Sequence, residues 1–192
     1  MFTRRKLLLG SAAAIAFAQP FEAFAHHSAK FKKTFKLDPK YVPQRVHFSM
    51  KYAPGTIVVD PRNHFLYLME RWGKARRYGV GVGKAGLAFR GNASVERKAE
   101  WPRWTPTKNM IRREPNKYAR YAGGVPGGIN NPLGARALYL YKGGRDTYYR
   151  IHGTTQPSSI GRSVSNGCIR MINDHVVDLY ERVPLGTQVV VL

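Results

Sequence analysis

Two runs set the pattern of the chain: Thr56-Ile57-Val58-Val59 and His64-Phe65-Leu66-Tyr67-Leu68-Met69 are rich in β-branched and aromatic residues, and the Asp60-Pro61-Arg62-Asn63 between them is turn chemistry. Such side chains suit a pleated, half-buried surface, so the two runs predict a β-hairpin. Further strands are predicted over residues 77–82, 135–141, 147–152 and 187–192, with Lys142-Gly143-Gly144-Arg145-Asp146 as a turn. One helical pattern is clear. It begins at Asn173-Asp174, both good N-cap types, carries Val176, Val177, Leu179 and Tyr180, and is ended by Pro184 and Gly186. Strands dominate and no repeat is present, so the expected class is mainly β, a sandwich-like or barrel-like domain with one or two short helices.

Two segments break the pattern. Residues 26–52 are basic and punctuated by proline, without a helical period, and read as an extended arm lying over a domain that occupies residues 53–192. His26-His27 within it has no third ligand at a useful spacing, so no metal site is expected. Residues 100–134 hold Trp101-Pro102, Trp104-Thr105-Pro106, Gly123-Gly124-Val125-Pro126-Gly127-Gly128 and Asn130-Asn131-Pro132. That density of Gly and Pro predicts a long functional loop or lid, whose tryptophans either stack on sugar or clamp a peptide or, the favoured reading, pin the loop to the domain. Gly81-Val82-Gly83-Lys84-Ala85-Gly86 matches G-x-G-x-x-G. The Leu87-Ala88-Phe89-Arg90-Gly91-Asn92 that follows is not an amphipathic helix, and no βαβ alternation surrounds the run, so it predicts a turn and no nucleotide site.

Composition narrows the partners. A hydrophobic fraction of 43% over 192 residues is enough for one globular domain with a real core. Lys and Arg number 32 against 11 Asp and Glu, a formal +21, which favours an anionic partner. Nucleic acid is disfavoured, because no basic helix, zinc-finger spacing or aromatic RNA-binding motif accompanies the charge.

The first residues point elsewhere. Arg4-Arg5-Lys6 precedes an apolar run from Leu7 to Phe17, and Ala23-Phe24-Ala25 is a small-x-small cleavage site. Residues 1–25 are therefore expected to be a signal peptide of the twin-arginine type, cleaved after Ala25, with the protein exported to the periplasm. The run is shorter than the roughly 20 apolar residues of a stable membrane span. Cleavage leaves 29 basic against 10 acidic residues, so the basic character belongs to the exported part.

The chain contains a single cysteine, Cys168. In an oxidising compartment a lone thiol is either buried and inert or has a use. Its neighbours favour use. Ser165-Asn166-Gly167-Cys168-Ile169-Arg170 follows Arg150-Ile151-His152-Gly153-Thr154-Thr155, with fifteen residues between His152 and Cys168. A thiol is a nucleophile as thiolate, and an imidazole on a neighbouring strand takes its proton and later returns it to a leaving amine. No acidic residue stands beside His152 to orient it, and the backbone carbonyl of Gly153 is the nearest substitute. Gly167 allows an unusual backbone angle before the thiol. The backbone N–H groups of Gly167 and Cys168 are candidate oxyanion donors, and Arg170 is a candidate fork for a carboxylate.

These residues resemble the active-site signature of the L,D-transpeptidase catalytic domain, the YkuD-like family that includes the ErfK/YbiS/YcfS/YnhG group. That signature is His-Gly, a gap of about fifteen residues, then Ser-His-Gly-Cys with Arg or Asn close behind. The resemblance runs from about Pro54 to Leu192 and includes Gly55-Thr56-Ile57-Val58-Val59-Asp60, Trp101-Pro102-x-Trp104-Thr105-Pro106 and Asn131-Pro132-Leu133-Gly134. Asn166 stands where the family commonly has His. The resemblance implies a β-sandwich-like fold and a two-step acyl transfer without metal or organic cofactor. Cys168 attacks the third residue of a peptidoglycan tetrapeptide stem, D-Ala leaves, and an amine of a second stem takes the acyl group to give a 3–3 cross-link. Arg170, Asn166 and Ser165 line the donor pocket. The same acyl-enzyme with another acceptor would attach an outer-membrane protein to the wall, or hydrolyse the stem. A non-catalytic wall-binding module is the reading of another class.

Overall fold

The structure is a computed structural model that describes residues 35–192. The expected signal peptide at 1–25, and residues 26–34 of the arm with His26 and His27, lie outside the described residues. The strands are β1 Gln44–His47, β2 Ile57–Asp60, β3 Phe65–Met69, β4 Lys74–Gly79, β5 Val82–Gly83, β6 Gly91–Glu100, β7 Arg136–Lys142, β8 Arg145–His152, β9 Ser163–Ser165, β10 Ile169–Arg170 and β11 Gln188–Val191. Among the described residues three α-helices accompany them: α1 Lys108–Arg113, α2 Pro115–Tyr118 and α3 Asn173–Arg182. The class is mainly β, as expected, and the helices beyond α3 lie in the Gly/Pro-rich segment. Among the described residues no helix is long and apolar enough to cross a membrane.

Nine strands form one mixed sheet in the order β1-β4-β3-β2-β11-β6-β7-β8-β10, while β5 and β9 pair separately. Two residues beyond β4, Gly81 exchanges both backbone hydrogen bonds with Arg170 of β10, at 2.9 and 2.7 Å. The far edge of the sheet thus returns to its second strand, and the sheet curls around a common interior. Side chains alternate across it. Ile57 and Val59 enter the main core with Leu66, Val95, Leu138, Ile151 and Val189, whereas Val58 faces a second cluster with Met69 and Ala75. Each such residue removed from water contributes about 1.5–3 kcal/mol.

The described part of the arm covers that second cluster. β1 pairs antiparallel with β4, and Phe48 stacks on Tyr67 with ring centroids 4.2 Å apart. The predicted strand over 77–82 is displaced: β4 starts at Lys74 and ends at Gly79, and the chain then turns through Val80 and Gly81 toward the closing bridge.

α3 buries Val176 and Leu179 against the main core. Its Asp178 accepts from Arg76 at 2.7 Å and from the Tyr78 hydroxyl at 2.6 Å, tying the helix to β4. At its C-terminal end the Lys98 ammonium donates to the carbonyls of Tyr180 and Val183, a cation where a helix terminus is negative.

Candidate active site

β10 runs parallel to β8, with Ile169 opposite Ile151 and Arg170 opposite His152. Side chains two apart on a strand share a face. The register therefore puts Cys168, Arg170, Arg150 and His152 on one side of this strand pair. Cys168 lies two residues before the partner of His152, about 7 Å along the strand and about 5 Å across.

His152 is buried, and its Nδ1 donates to the carbonyl of Gly153 at 2.5 Å. A carbonyl only accepts, so this bond puts the hydrogen on Nδ1 and leaves Nε2 with a free lone pair. Burial, together with the neighbouring Arg170 guanidinium, lowers the imidazole pKa to about 4. The ring is neutral at pH 7.

Cys168 is half-buried at the end of a tight turn. The buried Ser165 hydroxyl donates to the Cys168 carbonyl at 2.6 Å and accepts from the Gly167 N–H at 3.1 Å. Gly167 has φ 124°, and a Cβ there would meet Tyr149 at 2.5 Å and the Leu87 carbonyl at 2.6 Å. Burial raises the thiol pKa, opposed by Arg150 and Arg170 nearby. Among the described residues the thiol's hydrogen bond goes to the Tyr148 carbonyl at 3.8 Å, and none is formed to His152.

Two expectations are revised by these contacts. The Gly167 N–H is committed to Ser165, so of the two predicted oxyanion donors only the Cys168 N–H is left without a partner inside the turn. Ser165, expected in a donor pocket, spends its hydroxyl holding the turn.

Arg170 is half-buried, and its pKa is lowered by desolvation. It donates to Gln156 at 3.2 Å and forms no ion pair among the described residues. Arg150 is instead clamped by both oxygens of Asp146, at 2.7 and 2.8 Å. Asn166 points to the Gly/Pro-rich segment: its Nδ2 donates to the Tyr118 hydroxyl at 2.8 Å, and Arg113 approaches its Oδ1 at 3.5 Å. Trp104 packs edge-on against Tyr118 and Tyr121, with centroids 6.3 and 5.8 Å away, all within residues 100–134, so it holds that segment together internally and does not pin it to the domain.

Tyr118, Gln156, Arg150 and Asn173 were not singled out as site residues by sequence. Asn173 matters most. Its Oδ1 accepts from the Ala135 N–H at 3.1 Å and occupies the space that a Cβ on Gly134 or Gly153 would need. The glycine motif 81–86 is part of this site's scaffold and leads into a turn closed by Leu87 N–H on the Lys84 carbonyl at 3.0 Å. A Cβ on Gly83 would come within 2.8 Å of Gly167 Cα, so the run supports the thiol turn at close range.

The buried imidazole fixes a pH dependence of stability. Its folded pKa of about 4 lies below the ordinary 6.5, so the unfolded chain binds the extra proton. The stabilising contribution is complete above pH 6.5 and is lost as the pH falls through about 4, on the order of 3 kcal/mol from this group. Burial shifts His64 and His175 in the same direction. A thermal melting series should decline between pH 6.5 and 4 and decline less in His152→Asn; a flat series would contradict the assignment.

The family model described as L,D-transpeptidase catalytic domain matches residues 54–191. The probable L,D-transpeptidase ErfK/SrfK of Escherichia coli is 35% identical over 153 residues, covering 79% of this chain and 48% of that protein. The chain thus spans about half the length of the curated relatives it matches first. A crystal structure from Brucella melitensis, described as a probable carnitine operon oxidoreductase, is 60% identical, covers 81% of this chain and 96% of that one, and superposes with a TM-score of 0.56. An Enterococcus faecium L,D-transpeptidase, 18% identical, superposes with a TM-score of 0.54 over 73% of this chain and 50% of that one, which supports the fold.

Proposed function

This chain belongs to the L,D-transpeptidase catalytic domain family, and on that premise we propose that it is an exported cysteine acyltransferase acting on peptidoglycan stem peptides. The observation that carries the reading is the pairing of β8 and β10, with a neutral imidazole on one strand and the thiol leading into the other. In the first step the Cys168 sulfur attacks the carbonyl carbon of the third stem residue while its proton passes to Nε2 of His152. The Gly153 carbonyl holds the ring's Nδ1–H and stabilises the imidazolium as it forms. The Cys168 N–H donates to the developing oxyanion, a contribution of about 2.7–4 kcal/mol in comparable sites. Collapse breaks the amide, His152 gives its proton to the departing D-Ala nitrogen, and a thioester remains.

In the second step a neutral amine of another stem attacks the thioester. His152 takes the amine's proton and returns it to the leaving sulfur, so no metal, electron or cofactor is consumed. Arg170 is the carboxylate fork: a half-buried guanidinium without an anionic partner is completed by a substrate carboxylate. Asn166 and Tyr118 would border the donor from the side of the long segment. The oxidoreductase description of the Brucella relative has no counterpart in the glycine run here, which forms a turn and not a helix N-terminus.

The test is incubation of the protein with disaccharide-tetrapeptide, read by mass spectrometry. A 3–3 dimer with released D-Ala is expected. Tripeptide alone would move the acceptor to water, or to a protein lysine of an outer-membrane partner that the assay lacks. Absence of both dimer and thioester would leave only wall binding. A carbapenem should add its mass to the peptide carrying Cys168, whereas an unmodified peptide would count against an accessible nucleophile.

A further inference from the structure

Trp72 and Met50 are 82% and 80% exposed, at the end of the β3–β4 hairpin away from the thiol. Met50 lies beside Gly73, the residue after Trp72: a Cβ on Gly73 would fall 2.9 Å from Met50 Cγ, and Phe48 N–H donates to the Gly73 carbonyl at 2.7 Å. Trp72 also has φ 57°, the left-handed region that Gly and Asn occupy readily and that a bulky side chain adopts at a cost. Neither burial nor turn geometry favours tryptophan at this position.

The surroundings are basic. Arg45, Arg71 and Lys74 line a shallow groove with Trp72, and Lys51 follows Met50. The acid of that groove, Glu70, is already paired with Arg45 at 3.0 Å. Two apolar side chains are therefore presented to solvent inside a collar of cations. β4 separates this tip from the Gly81–Arg170 bridge by six residues of strand, about 20 Å.

We propose that the tip docks on an anionic phospholipid surface, Trp72 and Met50 entering the headgroup region while Arg71, Lys74 and Lys51 meet lipid phosphates. Tryptophan partitions to that interface, and each cation near an anionic surface adds about fivefold to binding. A thioether has no use against the face of a sugar but is at home among acyl chains, which favours lipid over glycan. Docking by this end keeps the thiol on the side away from the membrane, toward the wall.

The experiment is vesicle co-sedimentation of the chain without residues 1–25, whose core lies wholly within residues 57–191. Vesicles of phosphatidylethanolamine with phosphatidylglycerol are compared with phosphatidylcholine alone and with purified sacculi. Trp72→Asn suits the left-handed turn and so should fold at least as well as the parent. It is expected to weaken binding to the anionic vesicles at least tenfold, roughly the worth of a large apolar side chain, with thioester formation unchanged. Arg71→Ser with Lys74→Ser should weaken it similarly and lessen its salt dependence. Equal vesicle binding by Trp72→Asn, or no vesicle binding by the parent, overturns the proposal. A loss confined to sacculi overturns it in favour of a glycan contact.

Discussion

Cys168→Ala and His152→Asn should each lower D-Ala release from the tetrapeptide roughly 10,000-fold or more, with the double variant no worse than the poorer single one. Groups that act as one unit are not additive: without the sulfur the imidazole has no proton to take, and without the imidazole the buried thiol stays protonated. Asn is chosen at position 152 because its Nδ2 can donate to the Gly153 carbonyl where Nδ1 does now. The variant then loses the base but leaves no buried acceptor unpaired. Single-turnover mass measurement of the thioester separates the two roles. D-Ala release persisting in Cys168→Ala, or additive losses in the double variant, would remove the pair from the chemistry.

The second large effect is expected from one methyl group. In Gly153→Ala the new Cβ collides with Asn173 Oδ1 and approaches the Ala135 nitrogen at 3.0 Å. Overpacking of this kind costs about 1–3 kcal/mol. The displaced element is the carbonyl that aligns His152, and a misplacement of about 1 Å lowers turnover about a hundredfold. Adding Asn173→Ala should relieve the collision while leaving the Ala135 N–H without its acceptor. The double variant should therefore lose less than the two singles combined, both in melting temperature and in kcat. Additive losses would mean that the oxygen and the glycine do not share the space.

The contrast between Asn173 and Val58 shows what the sequence makes legible. The strands at 56–59, 64–69, 135–141 and 187–192 announce themselves because they face cores on one or both sides, whereas 147–152, where only Ile151 and His152 are buried, shows through its β-branched and aromatic types. β6 does not: in Gly-Asn-Ala-Ser-Val-Glu-Arg-Lys-Ala-Glu only Ala93 and Val95 are buried, and a register shift between Val95 and Arg97 breaks the alternation. β1 is an edge strand with no buried residue, and β10 is two residues long, too short to carry a period. The Cys/His spacing was legible because the chemistry demands particular residue types. The supports were not. Asn173 reads locally as a helix cap, yet its side chain serves a backbone N–H 38 positions away. Likewise the Ser165 hydroxyl and the Tyr118–Asn166 bond depend on how turns meet in space, which no local pattern encodes.

The place of β11 has a consequence for how the molecule is made. The last strand in the order of the chain lies in the middle of the sheet, parallel to β2 on one side and antiparallel to β6 on the other. Val189 must find Ile57, and Val190 must find Asn92, both across half of the polypeptide or more. Contacts of such separation carry a large loop-closure cost before they return any stability, and they slow folding toward milliseconds or seconds. Without residues 188–191 the strand order falls into β1-β4-β3-β2 and β6-β7-β8-β10, with a seam between β2 and β6. The sheet is therefore closed by a strand whose partners lie far back in the sequence.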